Sequence, residues 1–148
     1  MLRLLLGAAV LVSSMSAFAA KPLAQVAATD PLEASIAGEF ALQAGQLPEA
    51  ARRYLQAAQA ASDPVLAERA TRIALLANED ALARQGYALW QALAPQPSAP
   101  RQAVAATLAL RAGDKRAARR ELRALLATGD NGWKHVLAGL IGAVGKQP

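Results

Sequence analysis

The sequence predicts an all-α protein, an α-solenoid in which antiparallel helical hairpins stack one on the next. The first reason is composition. The hydrophobic fraction is 54% although aromatic residues make up only 4%, and much of the apolar content is alanine, the best helix former. The second is the scarcity of strand signals, since no run alternates polar and apolar residues. The third is a repeat: the segment LQAGQLPEAARRYLQAA at 42–58 is partly matched by LRAGDKRAARRELRALL at 110–126, 68 positions later. Half that distance is about 34 residues, a period typical of stacked helical hairpins.

Residues 1–19 are predicted to be a secretory signal peptide, cleaved between Ala19 and Ala20. Arg3 gives a positive start, an apolar run follows, and residues 17–19 form an A-x-A site. An uncleaved membrane anchor is the alternative, but the apolar core is only about half of the roughly 20 residues that span a bilayer. Because no cysteine follows, we expect neither a lipid anchor nor a disulfide. The expected location is the periplasm, with attachment to the outer membrane left open.

The first hairpin follows a short leader, predicted to be flexible, at residues 20–29. Asp30 can accept hydrogen bonds from free N–H groups at a helix start, and Pro31 already has a helical φ. This helix is predicted to run to Ala44. Gly45 ends it, because glycine adopts the left-handed conformation cheaply. A second helix then starts at Pro48 and runs to about Ala61.

The same signals recur along the repeat region, which we bound at residues 30–128. Helix three follows Asp63-Pro64 and ends at 78–80, and helix four runs to about Ala94. After a proline-rich connector, helix five covers about 99–112. Asp114 starts helix six, which is predicted to stop near Gly129. Residues 129–148 are predicted to add one more helix, at about 132–144, which is also compatible with the start of a further repeat. Whether the chain is part of a longer solenoid stays open.

Small residues mark the faces that each hairpin should bury. We expect four of them to lie in seams between helices: Gly38, Ala50, Ala106 and Ala118. In the middle hairpin we align Gly86 with Ala50 and Ala118, which shifts its register by two residues. Three aromatic residues are predicted to pack within hairpins, and the last of them could instead face a further repeat: Tyr54, Trp90 and Trp133.

The pattern of a small residue, a turn glycine, and then alanine, aromatic and alanine resembles tetratricopeptide repeats. Its members are Gly38, Gly45, Ala50, Tyr54 and Ala57, and the resemblance covers about residues 31–128. The run DPVLAERATRIALLANED is also similar to exported bacterial tetratricopeptide proteins, some of which are scaffolds or protease adaptors.

The resemblance implies a non-enzymatic module that captures a protein segment in a concave groove lined by the first helix of each hairpin. The polar residues expected on that face are Glu39, Gln43, Arg69, Arg72, Thr107 and Arg111. For each of them, a plain surface role is the alternative. The expected partner is a protein or peptide of the cell envelope.

Without the predicted signal peptide the net charge is +4, and residues 111–123 account for all of it, with six basic residues against Asp114 and Glu121. The residues that form the basic face of helix six are Lys115, Arg116, Arg119, Arg120 and Arg123. A solvated outer surface is the simplest interpretation. The alternative is a peripheral envelope protein that binds anionic lipid or cell-wall components there by summed electrostatics. Nucleic acid is not expected, because aromatic stacking partners are missing and an exported protein rarely meets it.

The sequence offers little for catalysis, so no catalytic residue, metal or cofactor is predicted. Cysteine is absent and His135, the only histidine, is in no recognisable nucleophile setting. The acid pair Glu79-Asp80 is predicted to favour a helix N-terminus. Glycines 139, 142 and 145 share one helix face, which suits close helix packing or a membrane-compatible segment. A hydrolase with an unfamiliar site remains a third alternative.

Overall fold

A computed structural model describes residues 29–127 and Lys134. These residues form helices and no strand, which confirms the all-α prediction. The six helices in chain order are α1 (Pro31–Gln43), α2 (Leu47–Ala61), α3 (Pro64–Leu76), α4 (Asp80–Leu93), α5 (Ala99–Arg111) and α6 (Lys115–Leu126). Their bounds follow the predicted ones closely, except that α6 ends before Gly129.

Aspartate side chains cap the N-termini of three of the helices. The carboxylate of Asp30 accepts from the backbone N–H of Leu32 at 2.9 Å, and that of Asp63 accepts from Val65 at 2.7 Å. Asp114 accepts from two backbone N–H groups at the start of α6, at 3.1 and 2.9 Å. Each bond satisfies a donor that has no partner within the helix, which is why the predicted helix starts are correct.

One type of turn joins the two helices of every hairpin. Gly45, Asn78 and Gly113 have φ values of +72°, +58° and +75°, in the left-handed region. In each turn the next residue donates its backbone N–H to a carbonyl five positions earlier, at 2.9 Å. The three turns are therefore equivalent, and they set the repeat spacing in this structure at 33 residues and then 35.

This spacing corrects the predicted register of the middle hairpin. Counting from the turns, Ala83 rather than Gly86 is equivalent to Ala50 and Ala118, and all three alanines are buried. Gly86 instead lies against Thr71 of α3. The predicted register was wrong because the sequence alone does not distinguish a glycine at a repeat position from a glycine at a local close contact between helices.

The hairpins bury the seam residues that the sequence singled out. Gly38, Ala50, Ala106 and Ala118 are all buried, as expected for closely approaching helices. Each helix packs on its neighbours in chain order, and the contact between α2 and α3 is as extensive as the contacts within hairpins. One core cluster runs through α1–α4 and reaches α5 at Val104.

The junction between the second and third hairpins is smaller and more polar. Arg101, at the start of α5, donates to the backbone carbonyls of Ala94 and Pro95. At the other end of α5, Arg111 pairs with Asp80 of α4 at 2.9 Å. Two arginines with buried side chains therefore hold α5 in place where α4 and α5 make few contacts: Arg101 bonds the segment after α4, and Arg111 bonds Asp80 of α4.

Several predictions lie outside the described residues. They are the signal peptide with its cleavage site at Ala19 and Ala20, the leader up to residue 28, and the helix at 132–144 with Trp133. Within residues 29–127, no helix is both long enough and apolar enough to cross a bilayer.

Candidate functional site

The strongest candidate site is a surface formed by α1 and α3, which we call the α1–α3 face and define by Glu39, Gln43, Arg69 and Arg72. Both helices pack on α2 but hardly touch each other directly. Long side chains span the space between them. Glu39 of α1 and Arg69 of α3 form an ion pair at 2.6 Å, with both side chains nearly half exposed. The structure thus brings two of the predicted groove residues into contact.

Tyr54 of α2 lies beneath this ion pair. Its hydroxyl donates to the same carboxylate oxygen of Glu39 that accepts from Arg69. The Arg69 guanidinium stands 4.5 Å from the centre of the Tyr54 ring, a cation–π arrangement. Burial raises the pKa of Tyr54 to about 12, and the hydrogen bond to Glu39 contributes in the same direction. Three helices therefore fix the orientation of Arg69.

The rest of the α1–α3 face is less constrained. Arg72 pairs with Glu68 one helical turn earlier, at 3.1 Å, and its side chain is mostly exposed. Gln43 is exposed at the end of α1. These two side chains are accessible to a partner from solvent.

Two predicted groove residues lie elsewhere. Thr107 is buried and donates to the carbonyl of Ala103 within its own helix, at 2.9 Å. The Arg111 side chain is only 3% exposed, since it bonds Asp80 and the carbonyl of Leu75. Neither side chain adds to an exposed groove. By repeat position Arg111 is equivalent to the exposed Gln43, but the third hairpin turns this position toward α4.

The α1–α3 face also has an apolar part, which was not predicted from the sequence. Val65 and Leu76 are large, exposed side chains on α3, and they flank Arg69 and Arg72 along one stripe. Positions 65, 69, 72 and 76 follow spacings of four, three and four, so they share one side of the helix. The spacing of these four positions is visible in the sequence and could have identified the stripe.

The basic face of α6 is exposed throughout. This holds for all five of its residues, Lys115, Arg116, Arg119, Arg120 and Arg123. Arg120 contacts the neighbouring Glu121 at 3.0 Å. The helix therefore presents a strongly positive surface, as its sequence indicates.

The described residues contain no group of three or more histidine, cysteine, aspartate or glutamate side chains placed to hold a metal ion. His135 and the glycines at 139, 142 and 145 lie outside the described residues. Glu79 and Asp80 stand at the start of α4, as the sequence predicts.

Comparison with known proteins gives no match: no protein-family model, no curated protein and no solved structure is similar to the chain. Its function is therefore inferred from the α1–α3 face and from the basic face of α6.

Proposed function

We propose that this protein is a non-enzymatic interaction module of the tetratricopeptide-repeat type, exported to the cell envelope, which binds a segment of another protein on its α1–α3 face. The observation that carries the proposal is the exposed stripe on α3. In it, two arginines lie between two large apolar side chains, Val65 and Leu76. Such a stripe is complementary to a protein segment that carries a carboxylate between apolar residues.

Preorganisation of Arg69 supports this role. The ring of Tyr54 and the carboxylate of Glu39 hold the guanidinium in place before any partner arrives. Less side-chain entropy is then lost on binding, which favours affinity. A partner carboxylate that reaches Arg69 from the solvent side forms a charge-assisted hydrogen bond. Arg72, which is more exposed, offers a second such contact.

A paired-variant capture experiment tests the proposal. Wild-type protein and Arg69→Ala/Arg72→Ala are used as baits against envelope extract, and retained proteins are identified by mass spectrometry. The matched control is Arg52→Ala/Arg53→Ala, which removes two exposed, ion-paired arginines from α2. We expect the same partner to be retained by wild type and control and lost by the α3 variant. Identical retention by all three proteins contradicts the proposal.

The basic face of α6 favours a second candidate function, binding of anionic lipid or cell-wall polymers. Its support is charge: within α6 five basic residues stand against one acidic residue, Glu121. Summed electrostatics of this size attract anionic surfaces, and salt screens the attraction.

Co-sedimentation with vesicles tests this second function. We expect binding to phosphatidylglycerol-containing vesicles at low salt, loss of binding at high salt, and none to phosphatidylcholine vesicles. Arg116→Ala/Arg120→Ala should weaken the binding. Absence of binding, or binding that salt does not change, rejects it.

A further inference from the structure

At the first helix of the described array, a residue that is buried at the equivalent position of the next repeat is exposed. Phe40 of α1 is equivalent to Ile73 of α3, because both lie five residues before the equivalent turn residues Gly45 and Asn78. Ile73 is 5% exposed, whereas Phe40 is 67% exposed. The same helix position is therefore covered in the second repeat and open in the first.

Helix α2, which precedes α3 in the chain, packs extensively on it. Three of its side chains, Ala51, Leu55 and Ala58, share one core cluster with Ala70 and Ile73 of α3. On α1 the equivalent positions are Glu33, Ala37 and Phe40, which line a shallow depression together with Asp30, Leu32 and Ile36. We call this surface the α1 end face. A helix could pack on this surface antiparallel to α1, in the same way that α2 packs antiparallel to α3.

At the other end of the described helices, α6 is a helix of the required kind. By the same equivalence of turns, Ala51, Leu55 and Ala58 of α2 correspond to three residues of α6, namely Arg119, Arg123 and Leu126. All three are exposed. We call this surface the α6 end face. Its outer residues are basic, and its last one is apolar.

Charge makes the two end faces complementary. The α1 end face is bordered by Asp30 and Glu33, and α1 contains no basic residue. The α6 end face presents Arg119 and Arg123, whose aliphatic stems can cover apolar surface while their charged heads stay near water. In the antiparallel order of α2 and α3, Arg123 would lie toward Glu33 and Arg119 toward Phe40.

We propose that the occupant of the α1 end face is a second copy of this chain, which docks its α6 end face there in a head-to-tail contact. The contact continues the helical array from one molecule to the next. Because the two surfaces differ, the contact is heterologous and leaves one free end of each kind on any open assembly. One helix seated on one helix buries less than the roughly 1,200 Å² of a standard stable interface, so the association is weak and concentration-dependent. The inference is independent of segment binding on the α1–α3 face.

Sedimentation equilibrium tests the contact. The protein is used in the form purified from its host, and it is measured over a series of concentrations at low and at high salt. Wild type should self-associate more strongly as concentration rises and as salt falls. Phe40→Glu and Arg119→Glu/Arg123→Glu should each lower the association constant by at least about tenfold. The control is Arg84→Glu, which places the same charge at an exposed position away from both end faces, and it should associate as wild type.

Mixing the two end-face variants distinguishes a head-to-tail contact from a symmetric dimer. Each variant keeps the end face that the other has lost, so an equimolar mixture should form a one-to-one heterodimer and nothing larger. A symmetric α1-to-α1 dimer predicts instead that Arg119→Glu/Arg123→Glu still self-associates. That result overturns the proposal. A wild-type protein that is monomeric at every concentration also overturns it. That result would mean that another part of the chain or another partner covers an end face. Association that salt does not weaken also overturns the proposal.

Discussion

Gly86 of α4 faces Thr71 of α3 so closely that a Cβ atom at position 86 would lie 2.6 Å from the Thr71 hydroxyl oxygen. In the first hairpin the glycine is on the other helix. Gly38 of α1 takes the position of Thr71, and Arg53 of α2 takes that of Gly86. At each of these two crossings one helix supplies a glycine, but either helix can supply it. This exchange between helices explains why the sequence repeat looked out of register.

Gly86→Ala is expected to destabilise the protein. The added methyl group meets the Thr71 hydroxyl at 2.6 Å and its backbone nitrogen at 3.2 Å, and the backbone cannot move away easily. Overpacking of this kind costs about 1–3 kcal/mol, and most of this range lies above the roughly 1 kcal/mol that alanine gains over glycine in a helix. Urea unfolding measures the difference.

Gly38→Ala is the matched comparison for Gly86→Ala. Its Cβ would meet the ring of Tyr54 at 3.1 Å, a side chain that can shift slightly, so the change in the free energy of unfolding should be smaller. Combining Gly86→Ala with Thr71→Ala should restore part of the loss. Equal effects at both glycines would show that crossing distance does not control stability here.

Removal of Arg111 should weaken the junction between the second and third hairpins. The Arg111–Asp80 pair is almost wholly buried, and loss of one partner from a buried ion pair typically costs 3–5 kcal/mol. We expect Arg111→Met to lower the free energy of unfolding by about 3 kcal/mol. Arg72→Met, which breaks an exposed pair with Glu68, should cost less than about 1 kcal/mol. Similar losses for both variants would contradict the assigned role.

Arg101 is expected to control local opening of the proline-rich connector. It donates to the carbonyls of Ala94 and Pro95, which ties the connector to the start of α5. In Arg101→Ala we expect faster hydrogen exchange over residues 94–102 and unchanged protection in α1 and α2, measured by mass spectrometry. Arg84→Ala, at an exposed position of α4, is the control. Unchanged exchange at the connector would exclude the arginine as its tether.

Titration of Tyr54 should make stability depend on pH in the alkaline range. The folded-state pKa is raised to about 12, above the unfolded value of about 10. The folded protein thus holds this proton more tightly than the unfolded chain. The stability from Tyr54 is fully present below about pH 10 and is lost as pH rises toward 12, by an amount of up to about 2–3 kcal/mol.

Tyrosinate absorbance reports the Tyr54 ionisation directly. Burial also raises the pKa of the other tyrosine, Tyr87, so Tyr54→Phe is needed to separate the two signals. Glu39→Gln should lower the pKa of Tyr54 only partly, because burial is the larger cause. A Tyr54 titration near pH 10 in the folded wild type would contradict the arrangement with Glu39.

Local signals in the sequence were sufficient for the helices and their turns. An aspartate side chain can satisfy a helix N-terminus, and a left-handed residue can end a helix, without help from distant parts of the chain. Asp30, Asp63 and Asp114 therefore marked true helix starts, and Gly45 and Gly113 marked true turns. Small residues at helical spacing also identified the buried seams, because close approach of two helices excludes large side chains.

The positions of the polar side chains depended on how the hairpins meet, which no local pattern encodes. Gln43 and Arg111 hold the same repeat position, yet the first is exposed and the second is buried against Asp80. The pairing of Glu39 with Arg69 over Tyr54 needs three helices at one place, from positions up to 30 residues apart. The exposure of Phe40 follows from what lies on its outer side, not from its own helix. Periodicity assigns a residue to a side of a helix, but packing between hairpins determines whether that side faces water, a buried charge or a neighbouring helix.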